Sequence, residues 1–150
     1  MAMTLIIIAT CSVLFVYWFR YTALLILQTR REAGLARKVA VVNCLSFTDL
    51  QESLRRSLAG PALNGMLSSL KHDYTVLKGM RQSAVAPGMR QYTLEERVLI
   101  INFRLLTLWS SLTRRFRSDS SARGTLLEMC DILGYFADTL GRLAPVTTRG

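Results

Sequence analysis

The chain has 150 residues, 51% of them hydrophobic, and a formal net charge of +9 from 19 Lys and Arg against 10 Asp and Glu. This length allows one compact domain, and the high hydrophobic content excludes an intrinsically disordered protein. Three cysteines without regular spacing and only three prolines exclude a disulfide scaffold and a low-complexity linker protein.

The N-terminal segment differs in composition from the rest of the chain. Residues 1–19 carry no charged side chain, whereas all 19 basic and 10 acidic residues lie at or after Arg20. At a rise of 1.5 Å per residue, residues 2–19 form about 27 Å of helix, close to the hydrocarbon thickness of a bilayer. The sequence therefore predicts a transmembrane anchor helix over residues 1–29.

The residues that follow the apolar run indicate its orientation. Aromatic side chains cluster between positions 15 and 21, as in the belt at a membrane–water boundary. Basic residues follow the segment but do not precede it, which predicts an outside N-terminus and a cytoplasmic C-terminal domain. We expect Arg20 to extend toward the lipid headgroups. The residues predicted at the membrane interface are Trp18, Arg20, Tyr21, Arg30, Arg31, Arg37 and Lys38.

This segment has three interpretations other than a membrane anchor. A cleaved signal peptide calls for a basic n-region, a shorter apolar core and a small-residue cleavage site, which we do not find here. Cys11 follows Ile8-Ala9-Thr10 as at a lipoprotein processing site, yet the apolar run continues to Phe19. The remaining alternative is a buried helix of a soluble core, since the uncharged run is near the lower length limit for a span.

Residues 30–47 are predicted to form a basic juxtamembrane connector. Within it, residues 39–47 (VAVVNCLSF) are the one run with β-propensity, but the sequence offers no partner strand. We therefore expect either a helix that continues from the membrane or an extended connector, with Cys44 buried.

The rest of the chain is predicted to be helical. Thr48-Asp49-Leu50-Gln51 has the form of a capping box and precedes leucines at spacing four, and Gly60-Pro61 is expected to end that helix. The next helix carries an apolar stripe at spacings of four and three, and residues 83–91 form a loop. The stripe residues of these two helices are Leu50, Leu54, Leu58, Leu63, Leu67, Leu70, Tyr74 and Leu77.

Thr93-Leu94-Glu95-Glu96 is the strongest helix start, with a capping Thr, a returning Glu and two carboxylates at the positive end of the helix dipole. The helix that follows is predicted to be central to the core. A turn over 118–124 and a last helix over 125–143 complete the body. The predicted inward residues of the first helix are Leu94, Val98, Ile101, Leu105, Leu108 and Leu112, with Leu99, Phe103, Leu106 and Trp109 widening their face. Those of the last helix are Leu126, Met129, Leu133, Phe136, Leu140 and Leu143.

The predicted fold class is all-α: an N-terminal transmembrane helix followed by an antiparallel bundle of about four helices over residues 48–145, with 146–150 as a disordered tail. The chain has one histidine, His72, which lacks the partners of a catalytic base. Ser68 and Lys71 match S-x-x-K without its companion motifs. No phosphate-binding glycine loop occurs. We therefore predict no catalysis and no cofactor.

Three acidic residues of the last helix, Glu128, Asp131 and Asp138, share one face. Because they have no imidazole partner, we expect a solvated acidic stripe, or one paired with arginines of the helix at 93–112, in preference to a metal site. Asp138 and Arg142 are spaced for an ion pair within the helix.

Gly79-Met80-Arg81-Gln82 recurs as Gly88-Met89-Arg90-Gln91, which is either a coincidence or two Met-Arg pairs on a loop that contacts a partner protein. Together with the other basic clusters, this defines a set of candidate partner-binding residues. They are Arg55, Arg56, Met80, Arg81, Met89, Arg90, Arg114, Arg115 and Arg117.

The expected function is a membrane-anchored interaction or assembly module that docks a protein partner, or its own copies, at the cytoplasmic membrane face. Anionic lipid headgroups are expected partners, since basic residues beside a membrane are attracted to them. The alternative is a membrane-tethered nucleic-acid-binding module that uses the arginine clusters on phosphates. No small-molecule substrate is inferred, and an accessory subunit of an enzyme remains a third possibility.

Overall fold

The computed structural model of the chain describes residues 1–29, 33–56, 63–84, 92–112 and 119–143. It confirms the all-α class, because the described residues form six helices and no strand. The helices are α1 (Ala2–Thr29), α2 (Ala33–Val42), α3 (Phe47–Arg55), α4 (Leu63–Ala84), α5 (Leu94–Leu112) and α6 (Asp119–Leu143).

Helix α1 has two parts with different surroundings. Every residue of 1–18 is exposed and lies outside the bundle, whereas Ala23 and Leu27 near the other end are buried against it. Within the exposed part, Thr10 and Ser12 donate their hydroxyls to the carbonyls of Ile6 and Ile8, both at 2.8 Å. These hydroxyl protons are therefore satisfied within the helix, as a polar group in an apolar surrounding requires.

The predicted connector contains a helix of the bundle. Helix α2 packs on α6, and Gly141 of α6 makes room for it: a Cβ there would lie 3.2 Å from Cγ2 of Val39 and 3.4 Å from Cβ of Leu35. The β-propensity of residues 39–47 did not produce a strand, because a helix can bury Ala36 and Ala40 against α6 without a partner strand.

Helix α2 ends in a Schellman motif at an unusual residue. Leu45 N–H donates to the carbonyl of Ala40 at 2.9 Å, and Cys44 N–H donates to that of Val41 at 3.4 Å. Cys44 takes the left-handed conformation with φ of 52°, a position that glycine normally fills. Its side chain is exposed, so the expectation that Cys44 is buried was wrong.

Helix α3 begins two residues earlier than the Thr48 capping box predicts, and its cap comes from another helix. Ser46 occupies the N-cap position but makes no capping hydrogen bond with its own side chain to any described residue. Instead, Oδ2 of Asp73 in α4 accepts the backbone N–H of Ser46 at 2.8 Å. Burial raises the pKa of Asp73 above its ordinary value, and hydrogen bonds from the Ser46 and Phe47 backbone partly oppose this.

The Thr93 capping box is confirmed at α5. Glu96 N–H donates to Oγ1 of Thr93 at 3.3 Å, and Thr93 N–H donates to Oε2 of Glu96 at 2.8 Å. The expected turn over 118–124 was wrong from residue 119 onward, because α6 already begins at Asp119. The expected break at Gly60-Pro61 and most of the loop over 83–91 lie outside the described residues, and α4 continues through Ala84.

The centre of the bundle is α6, and the prediction that the helix after Thr93 is central was wrong. Helix α6 contacts each of the other five helices of the described chain. Two of its three glycines lie where neighbouring helices approach, Gly134 beside Phe47 and Gly141 beside α2. Only one side of helix α5 packs against the bundle. Leu99, Phe103 and Leu106 are buried as predicted and Val98 is partly buried, whereas the other six of the ten predicted inward residues are exposed: Leu94, Ile101, Leu105, Leu108, Trp109 and Leu112.

Contacts between side chains define the directions of the long helices. Helix α5 runs antiparallel to α6, since Asn102 bonds Glu128 and Glu95 bonds Tyr135. Helix α1 runs in the direction of α6, because Arg20 lies at Glu128 and α2, which follows α1, meets α6 at Gly141. The exposed part of α1 therefore leaves the bundle at the end where α5 finishes and α6 begins.

We expect Cys44→Gly to raise the free energy of unfolding by about 0.5–1 kcal/mol, because glycine adopts a positive φ without steric cost. Denaturant titration of the full-length protein in detergent, followed by circular dichroism, measures this change. The control is Cys44→Ala, which retains the Cβ and should change stability by less than about 0.5 kcal/mol. Equal effects of the two substitutions would contradict the strain assigned to this residue.

Candidate functional site

A buried carboxylate joins the anchor helix to the bundle. Glu128 in α6 accepts a hydrogen bond from Nη2 of Arg20 in α1 at 2.6 Å on one oxygen, and from Nδ2 of Asn102 in α5 at 2.8 Å on the other. Glu128 and Asn102 are buried, and the Arg20 side chain is half-exposed. The arrangement positions the start of the exposed helix on two bundle helices at once. We name it the anchor junction.

The anchor junction changes the interpretation of the acidic residues. Glu128 and Asp138 are buried, so they do not form a solvated stripe. Glu128 pairs with Arg20 of α1 at 2.6 Å, and Asp131 accepts a hydrogen bond from Gln51 of α3 at 2.7 Å. The predicted pair of Asp138 with Arg142 is confirmed, with 3.1 Å between Oδ2 and Nε.

A cleft of about 740 Å³ lies between α2, α3 and α6, with Leu27 of α1 at its edge. Its volume falls within the range of ligand and peptide pockets. The cleft brings together three predicted basic residues from two helices, Arg37, Arg55 and Arg56, all of which are exposed. Sequence analysis assigned Arg37 to the membrane interface and the other two to partner binding, and their proximity follows only from the packing of α2 and α3 on α6.

Carboxylates line the same cleft as the guanidinium groups. Asp49 and Glu52 belong to α3, and Asp131 and Asp138 to α6. Glu52 forms an ion pair with Arg56. Within the part of the chain that the structure describes, Oδ1 of Asp138 is buried without a hydrogen-bond partner. The cleft thus presents cations at its rim, and its wall includes an acceptor that a donor from outside the chain could satisfy.

Cys130 also lines the cleft, but its thiol is not a nucleophile at neutral pH. Burial, together with the nearby negative charges of Asp131 and Asp73, raises the pKa of Cys130 to about 12. The described residues contain no group of three His, Cys, Asp or Glu side chains arranged to hold a metal ion. His72 is exposed on α4 beside the buried Asp73. The chemistry that remains at the cleft is charge pairing and hydrogen bonding.

Arg81, a predicted partner-binding residue, binds another side chain of the bundle. It is buried in α4, and its Nε and Nη2 donate to the two carboxylate oxygens of Glu96 at 3.0 and 2.7 Å. The guanidinium carbon lies 4.0 Å from the centre of the Tyr92 ring. Because Glu96 holds this side chain inside the bundle, the loop-borne role expected for Arg81 was wrong. Met80, its neighbour, is partly buried against the core.

The other predicted site residues are either exposed or lie outside the residues that the structure describes. Trp18 and Tyr21 are exposed on α1, with their rings in an edge-to-face contact at 6.3 Å, and Lys38 is exposed on α2. The predicted residues that lie outside the described part of the chain are Arg30, Arg31, Met89, Arg90, Arg114, Arg115 and Arg117.

One apolar face of α5 that the sequence predicts to lie inward is exposed in the structure. Leu94, Ile101, Leu105, Leu108, Trp109 and Leu112 are exposed by 44–80% and fall within an arc of roughly 100° on the helix. We name it the α5 outer face. The two apolar faces of this helix were visible in the sequence, but their spacing did not show which one packs inward. Comparison of the chain with protein families, curated proteins and solved structures gave no match.

We expect Glu128→Ala to lower the free energy of unfolding by about 2 kcal/mol, because it leaves Asn102 without its acceptor and Arg20 without its counter-charge. Glu52→Ala is the control. Its exposed pair with Arg56 is worth less than about 0.5 kcal/mol. Both are measured by denaturant titration of the full-length protein in detergent.

A double-mutant cycle of Glu128→Ala with Arg20→Ala isolates the pair itself. The expected coupling is at least about 1 kcal/mol, since the carboxylate is buried although the arginine is half-exposed. Additive effects would mean that the anchor junction does not join α1 to the bundle.

Proposed function

We propose that the protein is a single-pass membrane-anchored docking module. Helix α1 crosses the bilayer with its N-terminus outside, and the helical bundle holds the cleft between α2, α3 and α6 toward a protein partner on the cytoplasmic side. The observation that carries the proposal is the division of α1 into an apolar part, residues 1–18, that is exposed throughout and a part that is bonded to the bundle.

The burial pattern supports a membrane environment for residues 1–18. The described chain has one helix long and apolar enough to span a bilayer, and the most apolar stretch of α1 is not buried in the protein. In water, this continuous apolar surface is a strong liability. Lipid removes that liability, and the basic residues that follow the segment favour a cytoplasmic bundle.

The helix directions support the access of a partner to the cleft. If Arg20 lies at the membrane surface, Glu128 lies at the same level. The α6 residues that line the cleft, from Asp131 to Asp138, follow Glu128 by roughly 5–15 Å along the helix axis, away from the membrane. The guanidinium rim is therefore on the aqueous side.

The charges of the cleft favour a protein partner over nucleic acid. Guanidinium groups bind carboxylates through paired hydrogen bonds, so the rim fits a partner segment with acidic side chains. A nucleic-acid backbone places phosphates at regular short intervals, and the carboxylates of Asp49, Glu52, Asp131 and Asp138 in the same cleft repel them. The mixed charge is suited to a protein surface that carries both signs.

Membrane anchoring predicts that the full-length protein stays in the membrane pellet after washing at alkaline pH. The control is a variant with Ile8→Arg and Leu14→Arg, because each charge in the middle of a span costs about 3 kcal/mol. This double variant should move to the soluble fraction. Release of the unmodified protein by the wash would refute the anchor.

Docking at the cleft predicts that Arg55→Glu combined with Arg56→Glu reduces recovery of a photo-crosslinked partner by tenfold or more, equivalent to about 1.4 kcal/mol. The crosslinker is placed at exposed Asp49 in the cleft, in intact cells. Lys71→Glu is the control: it makes half the charge change of the double variant at an exposed position outside the cleft and should leave the adduct unchanged. Equal yields with both variants would contradict docking at this cleft.

Adducts that contain only this chain would assign the cleft to self-association. Adducts with nucleic acid, together with salt-sensitive binding of a random-sequence duplex by the purified full-length protein, would favour the nucleic-acid alternative.

A further inference from the structure

The α5 outer face is a large apolar surface that the bundle does not cover. Its six side chains are larger and more contiguous than the scattered apolar residues of an ordinary protein surface. The opposite side of the helix is packed normally, with Leu99, Phe103 and Leu106 buried and Phe103 stacked on Tyr74. The exposed arrangement therefore belongs to a well-packed helix with two apolar sides.

We infer that the part of the α5 outer face beyond Asn102, formed by Leu105, Leu108, Trp109 and Leu112, contacts the headgroups and upper acyl chains of the same bilayer that α1 crosses. This inference rests on the proposed membrane anchoring of α1. It adds a second lipid contact, made by the bundle itself, to the contact made by the spanning helix.

The position of α5 in the bundle supports this lipid contact. Asn102 of α5 lies at the anchor junction, level with Arg20, and α5 runs antiparallel to α1. The ten residues of α5 after Asn102 therefore extend toward the end of the bundle from which the exposed part of α1 emerges. Leu105, Leu108, Trp109 and Leu112, four of the six residues of the face, belong to this stretch.

The residues that border the α5 outer face also support this lipid contact. On one side, Asn102 contacts Glu128, which binds Arg20, so α1 lies along this edge. On the other side, Arg97 and Arg104 are exposed next to the apolar arc. An apolar surface with an aromatic side chain and flanking basic residues is typical of a protein surface that contacts a membrane interface with anionic lipid.

The closeness of the apolar surfaces of α1 and α5 also supports this lipid contact. The apolar surface of α1 and that of α5 are neighbours across the anchor junction, so a membrane that receives residues 1–18 is already beside Trp109. A second copy of the chain would cover the same residues, but it would meet the charges of Arg97 and Arg104 with their own like charges. Anionic headgroups complement those charges.

The test uses the two tryptophans of the chain, Trp18 in α1 and Trp109 in the α5 outer face. Full-length Trp18→Phe and Trp109→Phe variants are reconstituted separately in vesicles of phosphatidylcholine and phosphatidylglycerol. The phosphatidylcholine is brominated near the headgroup end of its acyl chains and quenches indole fluorescence on contact. We expect loss of most of the emission in both variants.

Quenching of Trp18 without quenching of Trp109 would overturn the inference and leave the anchor intact. Absence of quenching for both would overturn the proposed function as well. A blue-shifted Trp109 emission that bromine does not quench, with crosslinks between copies, would assign the α5 outer face to a dimer.

A charge series locates the contact on the helix. In the Trp18→Phe background, Leu108→Glu places a carboxylate in the α5 outer face and should restore most of the Trp109 emission in brominated vesicles. Ser111→Glu adds the same charge on the exposed polar side one turn away and should leave the quenching unchanged. Equal responses to the two substitutions would contradict a specific seating of this face on lipid.

Discussion

The arrangement of this protein depends on the carboxylate of Glu128. It is the point at which α1, α5 and α6 meet through polar contacts, and it lies where the exposed and packed parts of α1 join. A helix that merely continued from a flexible linker would not define how the bundle faces a membrane. Because Arg20 is held on α6 and its neighbour Ala23 is buried, the direction of the apolar segment is set relative to every helix of the bundle.

Other carboxylates also join separate parts of the bundle through hydrogen bonds. With Glu128, five carboxylates bind donors on a different helix or at its cap: Asp73, Glu95, Glu96, Glu128 and Asp131. Among the basic residues that the structure describes, those exposed include Arg37, Lys38, Arg55, Arg56, Arg97 and Arg104. The formal net charge of +9 suits a protein beside anionic lipid.

The two proposed contacts lie at different levels of the molecule. Four of the six residues of the α5 outer face lie between the anchor junction and the emerging apolar segment, and the cleft between α2, α3 and α6 lies on the opposite side of that junction. A bundle seated on lipid through α5 would keep the guanidinium rim of the cleft accessible from the aqueous side. Seating would also limit the orientations that a partner must find, which reduces the entropy cost of docking.

The sequence by itself determined the helical class, the apolar segment ahead of Arg20 and the capping box at Thr93, because helical periodicity and capping depend on residues close together in the chain. Only the tertiary structure decided which side of α5 is inward, that α6 is central and that Asp73 caps α3. It also decided that Arg20 meets Glu128 and that Arg81 is withdrawn from the surface. Each of these outcomes depends on contacts between residues distant in sequence, and local spacing carries no information about the helix against which a face will pack.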